Sequence, residues 1–171
     1  GTCLSADQKQ RIGQLFAGAV DGAGKKFYSS FPYDSGLGTN GWAVWKFNNS
    51  LNLDSGATAF IWQVPPEAQA GFNGPNFTLT ANIDTILAKI TTTNALYTEN
   101  ALQFMTPPNP ADLSTLKKRG AKALVYHGTS DPIFSSDDTK RWYEELTAAN
   151  GGDATNFARY YQVPGMNHCS G

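Results

Sequence analysis

No G-x-S-x-G occurs in the 171 residues of this chain. The strained strand-to-helix turn that presents the nucleophilic serine of an α/β-hydrolase is therefore not encoded here. Two cysteines and two histidines are too few to assemble a zinc cluster readily. Charge is also scarce: 16% of residues are charged, with 13 basic against 14 acidic side chains, which argues against a nucleic-acid or anionic-membrane partner. No apolar run approaches the roughly 18 residues of a membrane span. The opening Gly1-Thr2-Cys3 is not a signal peptide, so any targeting segment is expected to be removed or to lie upstream. What is plentiful, namely Gly, Asn, Thr, Ser and aromatics, suits an extracellular, loop-rich protein. Cys3 and Cys169 stand at opposite ends of the chain and could pair with each other, remain thiols, or pair with cysteines elsewhere.

At 171 residues the length suits roughly one domain. Ser5-Ala6-Asp7-Gln8 reads as a capping box, followed by Ile12, Leu15, Phe16 and Val20 at helical spacing. Asp21-Gly22 and Gly24 are expected to end that helix. From Lys25 to Pro75 no period lasts, and aromatics cluster, among them Phe27, Tyr28, Trp42, Trp45, Phe60 and Phe72. This stretch predicts an irregular, lid-like segment with short strands or helical turns at most. Residues 82–95 read as a helix that Thr91-Thr92-Thr93 weakens at its end. The stiff Thr106-Pro107-Pro108-Asn109-Pro110 marks a boundary, giving a lid-like segment over 1–110 and a core portion over 111–171. Asn48-Asn49-Ser50 and Asn76-Phe77-Thr78 fit the glycosylation sequon, a pattern common by chance in Asn-rich chains.

Beyond the boundary the pattern is regular. Residues 121–126 form an apolar strand of the buried kind, Ser136 is expected to cap a helix running to 149, and 157–163 form a second strand. Strand, helix, strand is a βαβ unit, so the fold class is α/β, with a partial parallel core. Catalytic groups in open parallel sheets gather beyond the carboxyl ends of the strands. Asp131 follows the first strand in Tyr126-His127-Gly128-Thr129-Ser130-Asp131, and His168 follows the second in Gly165-Met166-Asn167-His168. Either residue alone is explained by a turn cap or an ordinary loop histidine. Together, in the order acid then base, they predict the acid–base half of a Ser-Asp-His triad. His127 is expected to brace its turn and to make no contact with Asp131.

These same residues resemble the tannase and feruloyl esterase family. The resemblance rests on Gly165-Met166-Asn167-His168-Cys169-Ser170-Gly171, on Tyr126-His127-Gly128 with Asp131, on Cys3-Leu4-Ser5 with Gln8, and on Asp112-Leu113-Ser114 followed by Lys118-Arg119-Gly120-Ala121-Lys122. It implies a secreted or periplasmic serine esterase cleaving esters of aromatic acids such as gallate or ferulate, built as an α/β-hydrolase core with an inserted lid. It implies Asp131 as the triad acid, His168 as the triad base and Phe134 near the substrate ring. It also implies disulfides from Cys169 and Cys3 to cysteines outside this chain, and none between the two. Family members are roughly three times longer, which places the serine, the oxyanion hole and a calcium-binding lid loop upstream of Gly1. On this reading the partner is the N-terminal portion of the same esterase, and this chain alone is inactive, holds no cofactor or metal, and needs its complement or an oligomer to cover its sheet. The rival readings are a non-catalytic binding module for glycans or plant phenolics and a cytosolic structural domain.

Overall fold

The structure, a computed structural model, describes residues 3–168. Two compact units divide it: residues up to Trp42 together with those from Asn109 onward, and Ala43–Pro108. The second division, between Pro108 and Asn109, lies within the Thr106–Pro110 stretch. Residues up to Trp42, however, pack with the C-terminal part rather than with the rest of the aromatic-rich segment.

The first unit opens with helix α1 (Ala6–Ala17), capped reciprocally by Ser5 and Gln8 as the sequence predicts. It stops earlier than Asp21-Gly22, at Gly18. There the backbone turns to φ +91°, and an added Cβ would meet the carbonyls of Tyr28 and Ser29. Phe16 is buried and stacks on Tyr33, with ring centroids 4.3 Å apart, and on Trp42 at 5.8 Å. A single 3-10 turn covers Ser35–Gly38.

A short α2 (Asn40–Ala43) ends the first unit's N-terminal segment. In the second unit, sequence and structure part most: a π-helical run covers Val44–Asp54 and leads into α3 (Ser55–Phe60). This replaces the irregular chain expected there. A π-helix bonds i to i+5, so its apolar residues do not recur at the 3.6 spacing that marks an α-helix. Helices α4 (Gly74–Thr80), α5 (Ile83–Ile90) and α6 (Ala101–Met105) follow, each capped by an asparagine side chain. Phe72 sits between Phe60 and Phe77, at 4.6 and 5.5 Å between centroids.

The C-terminal part of the first unit supplies α7 (Ser114–Lys118), β1 (Ala123–Gly128), α8 (Ser136–Ala149) and β2 (Ala158–Val163). β1 and β2 pair in parallel, with His127 opposite Gln162 and Gly128 opposite Val163. The cap of α8 is Ser135, not Ser136: Ser135 is extended and its Oγ accepts from the amide of Asp137. Asp137 and Asp138 occupy the first turn, where the helix dipole favours them. Leu146, Ala154, Phe157 and Ala158 form a buried cluster, with Leu113, Leu116, Trp142 and Tyr143 packed against it. Trp142 is partly covered and donates from Nε1 to the Pro110 carbonyl at 2.8 Å.

Tyr143 donates its hydroxyl to the Ala158 carbonyl at 3.1 Å, tying α8 to the start of β2. Tyr143→Phe should therefore cost about 1 kcal/mol, read as a lowered urea midpoint with an unchanged slope. The other face of the sheet is open: Leu124, Tyr126 and Tyr161 are 70%, 65% and 48% exposed.

Candidate active site

The end of β1 and the end of β2 turn toward each other. Val163-Pro164-Gly165-Met166 closes a tight turn, with Pro164 supplying its fixed φ and Gly165 at φ +78°, as a type II turn requires. Ser130 donates its amide to the Met166 carbonyl at 3.1 Å, and Thr129 donates its own to Val163 at 3.1 Å. Gly128 permits this approach, since a Cβ there would overlap the carbonyl of Met166.

Asp131 is 8% exposed, and its two oxygens have separate tasks. Oδ1 accepts from the amides of Ile133 at 2.8 Å and Phe134 at 3.0 Å, which fixes the carboxylate plane. Oδ2 faces Nδ1 of His168 at 3.0 Å, so the two candidate residues meet. The imidazole of His168 is 23% exposed on its side chain. The ring of Phe134, 57% exposed, stands 5.6 Å from it between centroids.

The expectation for His127 fails. Its Nε2 lies 3.4 Å from the same Oδ2, and its Nδ1 lies 2.8 Å from the hydroxyl of Thr139 on α8. The reason is local: a turn in which the Asp131 amide bonds the Gly128 carbonyl folds the acid back over the strand end. With the Thr139 hydroxyl donating to Nδ1, the Nε2 proton is directed at Asp131. His127 thus braces the turn through the carboxylate itself.

Burial pushes the Asp131 carboxyl up, but hydrogen bonds from His127 and His168 and from the amides of Ile133 and Phe134 outweigh it and hold it down at about 2. Because the folded value lies below the unfolded one, the unfolded chain binds more protons as pH falls from about 4 to about 2. The stability this carboxylate contributes, about 2 kcal/mol, is fully present above pH 4 and lost through that window. Urea midpoints of the wild type and Asp131→Asn should accordingly converge between pH 5 and pH 2; a constant gap would contradict the bonding described.

Asp34 carried no signal beyond a local Asp-x-Gly turn, yet it reaches both loops of the site. Its carboxylate accepts from the amides of Gly36 and Gly165 and from the hydroxyls of Thr129 and Ser130. Bonds from Ser130 and Thr129 foremost, and then from the Gly36 amide, hold it well below the usual carboxylate range. Cys3 is exposed. Cys169 lies outside the described residues. Among the described residues no three His, Cys, Asp or Glu side chains are arranged to hold a metal. None of the described helices is long and apolar enough to cross a membrane.

The family model described as tannase and feruloyl esterase matches residues 1–171. The chain belongs to the tannase and feruloyl esterase family. Within that family it is similar to a mono(2-hydroxyethyl) terephthalate hydrolase from Piscinibacter sakaiensis, at 37% identity over 99% of this chain and 30% of that protein. It is also similar to a probable feruloyl esterase B from Emericella nidulans, at 44% identity over 34% of this chain and 12% of that protein. Among solved structures, an esterase from Aspergillus oryzae matches with a TM-score of 0.58 and 21% identity, covering 99% of this chain and 30% of that one. This is a likeness of fold, and the βαβ edge described above is a partial α/β-hydrolase core. The chain spans about a third or less of the length of these tannase-family relatives.

Proposed function

We propose that this chain supplies the acid and base of a secreted or periplasmic serine carboxylic ester hydrolase acting on esters of aromatic acids. The observation that carries the reading is the Asp131–His168 contact of 3.0 Å, made by residues on the turns that follow two adjacent parallel strands. Membership of a family of tannases and feruloyl esterases supports the ester-hydrolase chemistry. In this mechanism a serine from outside the chain gives its proton to His168 as its oxygen attacks the ester carbonyl. Asp131 holds the imidazole in one tautomer and stabilises the imidazolium. His168 then returns the proton to the departing alcohol, leaving an acyl-serine that water cleaves by the same route. Phe134, exposed beside His168, offers a ring face to the aromatic part of the acyl group.

The partner on this reading is the remainder of the α/β core. Parallel sheets are normally buried on both faces, and the open Leu124–Tyr126–Tyr161 face suits that cover. Residues 43–108 then serve as part of the lid. The test is an assay of the protein that joins this chain to an upstream G-x-S-x-G region, against methyl gallate, methyl ferulate and mono(2-hydroxyethyl) terephthalate. Turnover of at least one is expected, and its loss in His168→Ala. Absence of turnover on all three, in a folded protein, would overturn the proposal.

A further inference from the structure

Asp34 lies in none of the motifs that point to catalysis, yet it joins the two loops that carry them. Oδ2 accepts from Thr129 Oγ1 at 2.6 Å, two residues before the acid. Oδ1 accepts from Ser130 Oγ, from the amide of Gly165 at 2.8 Å, three residues before the base, and from Gly36 at 3.0 Å. The packing around it leaves no slack. A Cβ on Gly36 would overlap Ser130 and the Gly165 carbonyl, and the side-chain amide of Asn167 donates to Thr39 Oγ1 at 3.1 Å. One N-terminal segment therefore grips the acid loop and the base turn at once.

We propose that Asp34 is a positioning residue that sets the separation of Asp131 and His168, an inference that rests on the acid–base reading above. The amides of Thr129 and Ser130, bonding the carbonyls of Val163 and Met166, already link the two loops. Asp34 links them as well, and two of its partners, the amides of Gly36 and Gly165, can only donate to it. An alanine removes both oxygens and leaves all four donors without this acceptor. A lost bond there lets the loops part, and a misplacement of about 1 Å can cost roughly 100-fold in rate.

The test uses the full esterase containing this chain, with two readouts. One is the low-field proton resonance of the His168 Nδ1–H bonded to Asp131; the other is steady-state kinetics. Asp131→Asn should abolish the resonance, and if it does not, the acid–base reading itself fails. Given that loss, Asp34→Ala should also lose or broaden the resonance and lower kcat by roughly 10- to 100-fold with KM within about twofold. Asp137→Ala removes a comparable long-range bond, from Ser30 Oγ at 2.8 Å, and should move neither readout. If Asp34→Ala does not fold, Thr129→Val removes the donor to Oδ2, with its longer contact to the Val163 carbonyl at 3.3 Å, leaves the Oδ1 bonds in place, and should broaden the resonance and lower kcat several-fold. An unmoved resonance and kcat in the variant that folds would overturn the inference, as would an equal response to Asp137→Ala.

Discussion

Replacing Asp131 by asparagine in the intact esterase is expected to lower kcat by about 10,000-fold while KM changes little. The size follows from how the two oxygens are used. Oδ1 accepts two backbone amides and Oδ2 faces two imidazole nitrogens. The amide nitrogen of an asparagine must therefore confront donors on one side or the other. Turned toward Ile133 and Phe134, it breaks the turn that presents the side chain. Turned toward His168, it makes Nδ1 an acceptor and moves the ring proton to Nε2, the nitrogen that must receive the proton of the serine. Either outcome removes the base in its working tautomer and the charge that stabilises the imidazolium. Steady-state kinetics, with circular dichroism to confirm folding, measure the effect; a fall of less than tenfold would refute the assignment of Asp131.

The C-terminal βαβ unit was legible in the sequence because every local signal agrees there. An apolar strand ends at Gly128, acidic residues open α8, Asn150-Gly151-Gly152 closes it, and a Pro-Gly turn follows Val163. Asp131 and His168 could be read because strand ends in a parallel sheet converge on one edge. The contact of His127 with Asp131 could not, since it depends on a turn that folds the acid back across its own strand. Asp34 was hidden for a different reason. Its local signature is only the turn that its carboxylate makes with the Gly36 amide, while its partners at 129, 130 and 165 are far away in sequence. The π-helical run over Val44–Asp54 was missed because its period is neither 2 nor 3.6. Composition suggested loop, and tertiary packing chose helix.

Gly128→Ala is expected to produce the second-largest effect, because it tests the approach of the two loops directly. Gly128 ends β1 and is buried, and its backbone is not in the left-handed region, so the glycine is there for space rather than for conformation. A Cβ at this position would overlap the carbonyl of Met166 and touch its side chain. Neither neighbour is a flexible tip that can swing aside; the obstacle is the backbone of the base turn. Relief requires the 128–131 loop and the 163–168 turn to move apart. That movement lengthens the Ser130–Met166 bond of 3.1 Å and the Asp131–His168 bond of 3.0 Å together. The cost should be about 1–3 kcal/mol in stability, as for other overpacked sites, and roughly 100-fold in kcat. Gly120 supplies the control. It sits at φ +70° with open space around it, so Gly120→Ala should lower the urea midpoint through backbone strain alone, by about 1 kcal/mol, and leave kcat unchanged. Comparable stability losses with kcat reduced only in Gly128→Ala would tie the activity to loop spacing. Wild-type kcat in Gly128→Ala would show that the acid–base geometry does not depend on that close approach.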